Sequence, residues 1–233
     1  DEPADAITEL ERAWSVVMRI GSPRQQVDCS IQMNVAFRRV QQWNAADPWI
    51  DTALRIAREA GLTVLELRVA LLAGRALIER GDYQRRFGDP EQAVADWHGA
   101  LDRYDDVWVW VQSGETPERL RFTALVDRSA ALARLGRTEA AIDGLQSCLL
   151  LLDLQPDSDI HIEVQHQLAI ALRERGDLAA AMDACFAGIE LVESSGVRRN
   201  LEALVDLAAE LAEANGDLES AVSLLRSLLR LRE

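Results

Sequence analysis

The chain contains no lysine: all 25 of its basic residues are arginine. That excludes a P-loop lysine, Schiff-base chemistry and a lysine general base. Cysteine is scarce, with Cys29, Cys148 and Cys185 at irregular spacing. Neither a disulfide framework nor a zinc site follows, and a reduced, cytoplasmic setting is the expectation. Of the three histidines, His98 is isolated, while His161 and His166 stand five apart. That spacing does not put a pair of metal ligands on one helical face, so no metal site is expected. Glycine and proline together number nineteen and fall at chain reversals, which leaves no low-complexity linker. Apolar runs are short: Cys148–Leu152 covers five residues, against roughly 20 for a membrane-spanning helix. A net charge of −14 denies the chain the basic footprint that general nucleic-acid or anionic-membrane binding needs. No nucleophile–base arrangement or phosphate loop is visible. No catalytic or cofactor-binding residue is therefore assigned, and the chain is expected to be non-enzymatic. It opens on Asp-Glu-Pro without methionine, the pattern expected of a fragment or a processed form.

What is present is a period. Apolar residues make up 48% of the chain and charged residues 27%, enough for a core and against disorder. Six reversals, at Asp1, Gln41, Gly88, Gly136, Gly176 and Gly216, are each followed five residues later by alanine. Those alanines are Ala6, Ala46, Ala93, Ala141, Ala181 and Ala221, and the intervals are 40, 47, 48, 40 and 40 residues. A fixed period in this range with a small residue at a fixed phase predicts a stacked helical repeat array. The expectation is a single domain over 1–233 with eleven helices: a half-unit at 1–21, then pairs at about 22–61, 62–112, 116–155, 157–195 and 197–233. The long second interval implies a first helix extended by about two turns, with Gly81-Asp82-Tyr83 as a competing reversal. The long third interval implies a loop over Ser113-Gly114-Glu115-Thr116-Pro117.

Twelve residues after the reversals stand Ala13, Ala53, Ala100, Cys148, Gly188 and Leu228; nine after them stand Leu10, Ile50, Trp97, Leu145, Cys185 and Leu225. Seven before the last five reversals stand Asn34, Gly81, Ser129, Ala169 and Ala209. This phasing resembles the tetratricopeptide repeat, most closely from Gly81 to Leu101. HEAT-type repeats are the architectural rival, and the recurring Gly-Asp reversal favours the former. The resemblance implies an all-α, right-handed superhelical array of antiparallel helix pairs, with the first helix of each pair lining an inner peptide-holding groove. The usual unit has 34 residues; the longer unit here is similar to those of bacterial signalling proteins, including large transcription activators and diguanylate cyclases. The C-terminal run Ser223–Glu233 ends without a stop signal, as would a helix leading into an effector domain.

Within that frame the groove candidates are Arg38, Arg39, Arg75, Arg85, Arg86, Arg134 and Arg173, a positive ladder suited to an acidic peptide, a carboxylate terminus or a phosphate. Farther along, Asp206, Glu210 and Glu213 would make the groove acidic. The bland reading is that cations favour the last turn of any helix. The lysine-dependent carboxylate clamp of some family members is excluded. All six tryptophans fall in the first 110 residues. Trp97 holds a packing position, whereas Val107-Trp108-Val109-Trp110-Val111 lies past the expected end of its helix, making Trp108 and Trp110 interface candidates; the alternative is an elongated helix that tucks both indoles against the next repeat. The expected function is a protein or peptide interaction scaffold. The alternatives are a sensory or regulatory segment of a signalling protein, and a self-assembling module in which the tryptophan edge forms a homodimer.

Overall fold

The structure is a computed structural model that describes residues 2–113, 116–153, 157–197, 200–217, 219–224 and 226, without the side chains of residues 2–5. Leu225, Leu228, part of the Ser113–Pro117 stretch and most of the C-terminal run lie outside the described residues. The fold is all-α. Ten helices are bounded among the described residues, and residues 219–224 are helical where the eleventh is expected.

The chain forms two compact units. The first, Asp1–Thr116, holds α1 (Glu2–Ile20), α2 (Pro23–Arg39), α3 (Trp43–Glu59), α4 (Thr63–Phe87) and α5 (Pro90–Gln112). The second, Pro117–Glu233, holds α6 (Glu118–Arg134), α7 (Thr138–Leu152), α8 (Ser158–Arg175), α9 (Leu178–Ser195) and α10 (Leu201–Ala214). Consecutive helices pack as tetratricopeptide-type hairpins, α2 on α3, α4 on α5, α6 on α7 and α8 on α9.

Local chemistry sets the helix ends. Ser22 and Gln25 form a capping box around Pro23 at the start of α2. The Asp89 carboxylate accepts from the Glu91 and Gln92 amides ahead of α5, again with proline at the first helical position. The glycine-free reversal at Gln41 puts that residue at φ 60°, a left-handed conformation that glycine supplies at Gly136, Gly176 and Gly216. This is why the sequence signal there is weak.

The alanines at the repeat phase sit where helices meet. Ala46, Ala93, Ala141 and Ala181 are at most 1% exposed, so each hairpin closes to backbone distance. Opposite them, Asn34 donates from Nδ2 to the Ala46 carbonyl at 3.0 Å. Gly81 lies under the Trp97 indole, and a Cβ there would come within 2.6 Å of Nε1. Gly81 is therefore a packing glycine inside a continuous α4, not a turn. The 25 residues of α4 account for the long second interval.

In the third interval the helix itself takes up part of the excess. The Val107–Val111 segment is helical, because α5 runs on to Gln112 over 23 residues. Val107 and Val111, one turn apart, are 2% and 0% exposed, and their burial holds the extra turns in register.

Candidate functional site

In the first unit the ladder arginines are largely engaged by their own chain. Arg38 ends α2 and is clamped by Glu79 of α4, with Nη2 2.6 Å from Oε1 and Nε 3.0 Å from Oε2. Its guanidinium also donates to Asn34 Oδ1 at 3.3 Å. Arg85 lies over the Trp97 ring at 5.7 Å and Arg86 over Phe87 at 5.2 Å. Arg75 is half-buried along α4 and has an interaction of its own. Arg39 is exposed, without an ion pair among the described residues.

The second unit repeats this habit. Arg173 of α8 donates to Glu210 of α10 at 3.0 Å and to Glu174 at 3.3 Å. Arg134 donates to the Ala130 carbonyl at 3.1 Å. Arg119 of α6 reaches Asp159 of α8 at 2.9 Å. The Arg38–Glu79, Arg119–Asp159 and Arg173–Glu210 pairs each join residues about one repeat apart and tie α2 to α4, α6 to α8 and α8 to α10.

Burial perturbs the titratable groups beside them. His166 is held below its ordinary pKa chiefly by desolvation, opposed by Glu163 and reinforced by Arg134 and Arg173. His161 is lowered by burial against a smaller raising effect of Asp153. The unfolded chain therefore takes up protons more readily than the folded one below about pH 6.5. The stability these two histidines confer is complete above that value and is lost as pH falls through the lowered folded values. Chemical denaturation followed by circular dichroism should show a lower midpoint at pH 5.5 than at pH 7.5. The drop should shrink in His166→Gln, and an undiminished drop would refute the assignment. Cys148 and Cys185 occupy buried packing positions, and desolvation pushes both thiols up to about 12, which makes them poor nucleophiles.

The aromatic edge is open. Trp97 is 4% exposed, as its packing position requires, and Trp108 is half-buried. Val109 and Trp110 are 69% and 56% exposed. They border a cavity of about 420 Å³ within the first unit. Its apolar floor comes from Leu54 of α3, Leu67 and Ala70 of α4 and Val107 of α5, and its rim from Arg58, Glu66, Arg103 and Asp106. Arg58 and Glu66 pair at 2.9 Å across the α3–α4 turn. Trp110 stands out in the sequence but this wall does not, because Leu54 and Ala70 look like any seam residues until three helices bring them together.

Among the described residues, no group of three His, Cys, Asp or Glu is placed to hold a metal ion, and no helix is long and apolar enough to cross a membrane.

Comparison with known proteins adds a family. Residues 62–185, from the start of α4 into α9, match the family described as bacterial transcriptional activator domain. No curated protein matches the sequence. Among solved structures, BtubC from P. vanneervenii is similar with a TM-score of 0.63 at 13% identity, over 100% of this chain and 91% of that one. PilW, a type IV pilus biogenesis factor, gives 0.45 at 16% identity over 87% of this chain and 91% of that one. The C-terminal part of a TPR repeat-containing protein from Cytophaga hutchinsonii gives 0.38 at 16% identity, over 99% and 90%.

Proposed function

We propose, from the premise that the chain belongs to the bacterial transcriptional activator domain family, that it is a non-catalytic interaction module of a transcription regulator. It engages a protein partner at the α5 edge. One observation carries this reading: Val109 and Trp110 are exposed side by side at the mouth of a cavity with an apolar floor and a charged rim. Large exposed apolar side chains beside such a pocket have the anatomy of an interface anchor, in which a partner's apolar side chain is desolvated while the rim sets orientation. The rim carries two arginines and two carboxylates, so it suits a partner segment with charges of both signs around its anchor.

The test is affinity capture with mass spectrometry from the native source, using the wild-type chain, Val109→Glu/Trp110→Glu and Arg38→Glu/Arg86→Glu. The edge substitutions lie on exposed positions and leave the helix intact. A partner should be recovered at least tenfold less with the edge variant and equally with the arginine variant. Equal recovery with the edge variant would overturn the reading.

A second reading keeps the groove. Arg39 and Arg86 are exposed on the first unit and remain available to an acidic peptide. Binding there would weaken steeply with salt and fail in the arginine variant.

A further inference from the structure

The four charged groups on the rim of the α5-edge cavity are not equivalent. Arg58 and Glu66 satisfy each other at 2.9 Å. Asp106 is exposed, so water continues to solvate it whatever covers the cavity floor. Arg103 is half-buried and, like Asp106, has neither an ion pair nor a hydrogen bond among the described residues. It lines the same cavity as Leu54, Leu67, Ala70 and Trp110. An apolar side chain seated on that floor displaces water that solvates this cation. A guanidinium stripped of water without a counter-charge opposes binding, whereas a carboxylate placed on its fork turns the same contact favourable. The net charge of −14 gives an acidic segment no general attraction to this chain. The demand for a carboxylate is local to Arg103.

Spacing along α5 sets how the partner's groups are arranged. Arg103, Asp106, Val107 and Trp110 share one face at the i, i+3, i+4 and i+7 intervals with which one helix packs on another. Arg103 and Trp110 are two turns apart, roughly 10 Å along the axis. A single anchoring residue does not span that distance, so the anchor and the acid are different residues of the partner.

Taking the α5 edge as the contact site, as proposed above, we infer that it selects a helical partner segment carrying an acidic side chain one to two turns from its apolar anchor. The anchor packs on the cavity floor beside Trp110, and the carboxylate sits on Arg103.

Selection from a library of random peptides of about 16 residues, roughly four helical turns, tests this on the full chain. The peptides are displayed between flanking sequences, so that neither terminus is free. Those enriched on the wild type should be lost on Val109→Glu/Trp110→Glu and should carry Asp or Glu one to two turns from a large apolar residue. On Arg103→Glu the acidic position should change to Arg or Lys. One enriched peptide, acetylated and amidated to remove its terminal charges, is then titrated by fluorescence anisotropy. Its binding should weaken about tenfold on Arg103→Met, the size expected for a hydrogen-bonded charge pair. Methionine keeps the apolar bulk of the arginine stem, and circular dichroism should be unchanged. Replacing the peptide's acid by its amide should cost the same factor on the wild type and nothing further on Arg103→Met. Peptides that need Val109 and Trp110 but show no acid, or whose acid is indifferent to Arg103→Met, would overturn the inference and leave the α5 edge standing as the contact site. Peptides that bind the edge variant as well as the wild type, or a library in which nothing is enriched, would overturn both.

Discussion

Tyr104→Ala is expected to cost the first unit about 4 kcal/mol, near the middle of the range for emptying a buried aromatic site. Tyr104 is 1% exposed and among the largest fully buried side chains. Its ring lies on Gly74 of α4 so closely that a Cβ there would sit 2.4 Å from Cε1. Glycine at that position lets α4 and α5 approach, and the ring fills the space the approach creates. Gly74→Ala alone should then cost about 1–3 kcal/mol, because the ring must shift within a packed core. In the Tyr104→Ala background it should cost less, since the group it strikes is gone. All six tryptophans lie within the first unit, so tryptophan fluorescence during urea unfolding of the full chain reads that unit selectively. A Tyr104→Ala loss below about 1.5 kcal/mol would mean that the site collapses around the vacancy and that Tyr104 is not the keystone of the α4–α5 contact.

Asp96→Ala is expected to cost about 3 kcal/mol, the low end for breaking a buried ion pair, because water reaches part of the surviving cation. Asp96 is 3% exposed and takes Arg80 at two points, 2.9 Å from Nε and 2.7 Å from Nη2. Gln92 adds a donor at 3.1 Å, and Arg80 reaches on to Asp47 of α3 at 2.6 Å. One guanidinium thus ties α3, α4 and α5. Its pKa is raised, first by the Asp96 hydrogen bonds, against the opposing effect of burial. Removing Asp96 leaves Arg80 desolvated with only the half-exposed Asp47 as partner. Replacing both members, Arg80→Met with Asp96→Leu, should recover most of the loss, since an apolar pair of similar volume carries no desolvation penalty. A double variant as unstable as Asp96→Ala would show that geometry rather than charge is at stake.

Both sites show how far one-dimensional reading reaches. Gly81 and Trp97 were legible because the repeat puts a small residue and a large one at fixed phases. Gly74 and Tyr104 lie off those phases, and nothing in their neighbourhoods distinguishes them before α4 and α5 are laid together. Arg38 and Arg173 were legible as cations in a last helical turn, but not as half of a pair. Their acids, Glu79 and Glu210, lie 41 and 37 residues away. Read one repeat at a time both arginines look open, and read across neighbouring repeats both are paired. Trp110 was visible as an aromatic in an odd place, while the cavity beside it needed Leu54 and Ala70 from two other helices.

The sequence alone determined the all-α class, the hairpin architecture and the phase of each helix. These depend on small residues recurring at a spacing that helical geometry translates directly into contact. It also ruled out lysine chemistry and a broad basic surface. Only the tertiary structure decided which charged groups are engaged and which apolar faces stay open. Electrostatic pairing and solvent exposure depend on what a neighbouring repeat brings within a few ångströms, and no local pattern records that distance.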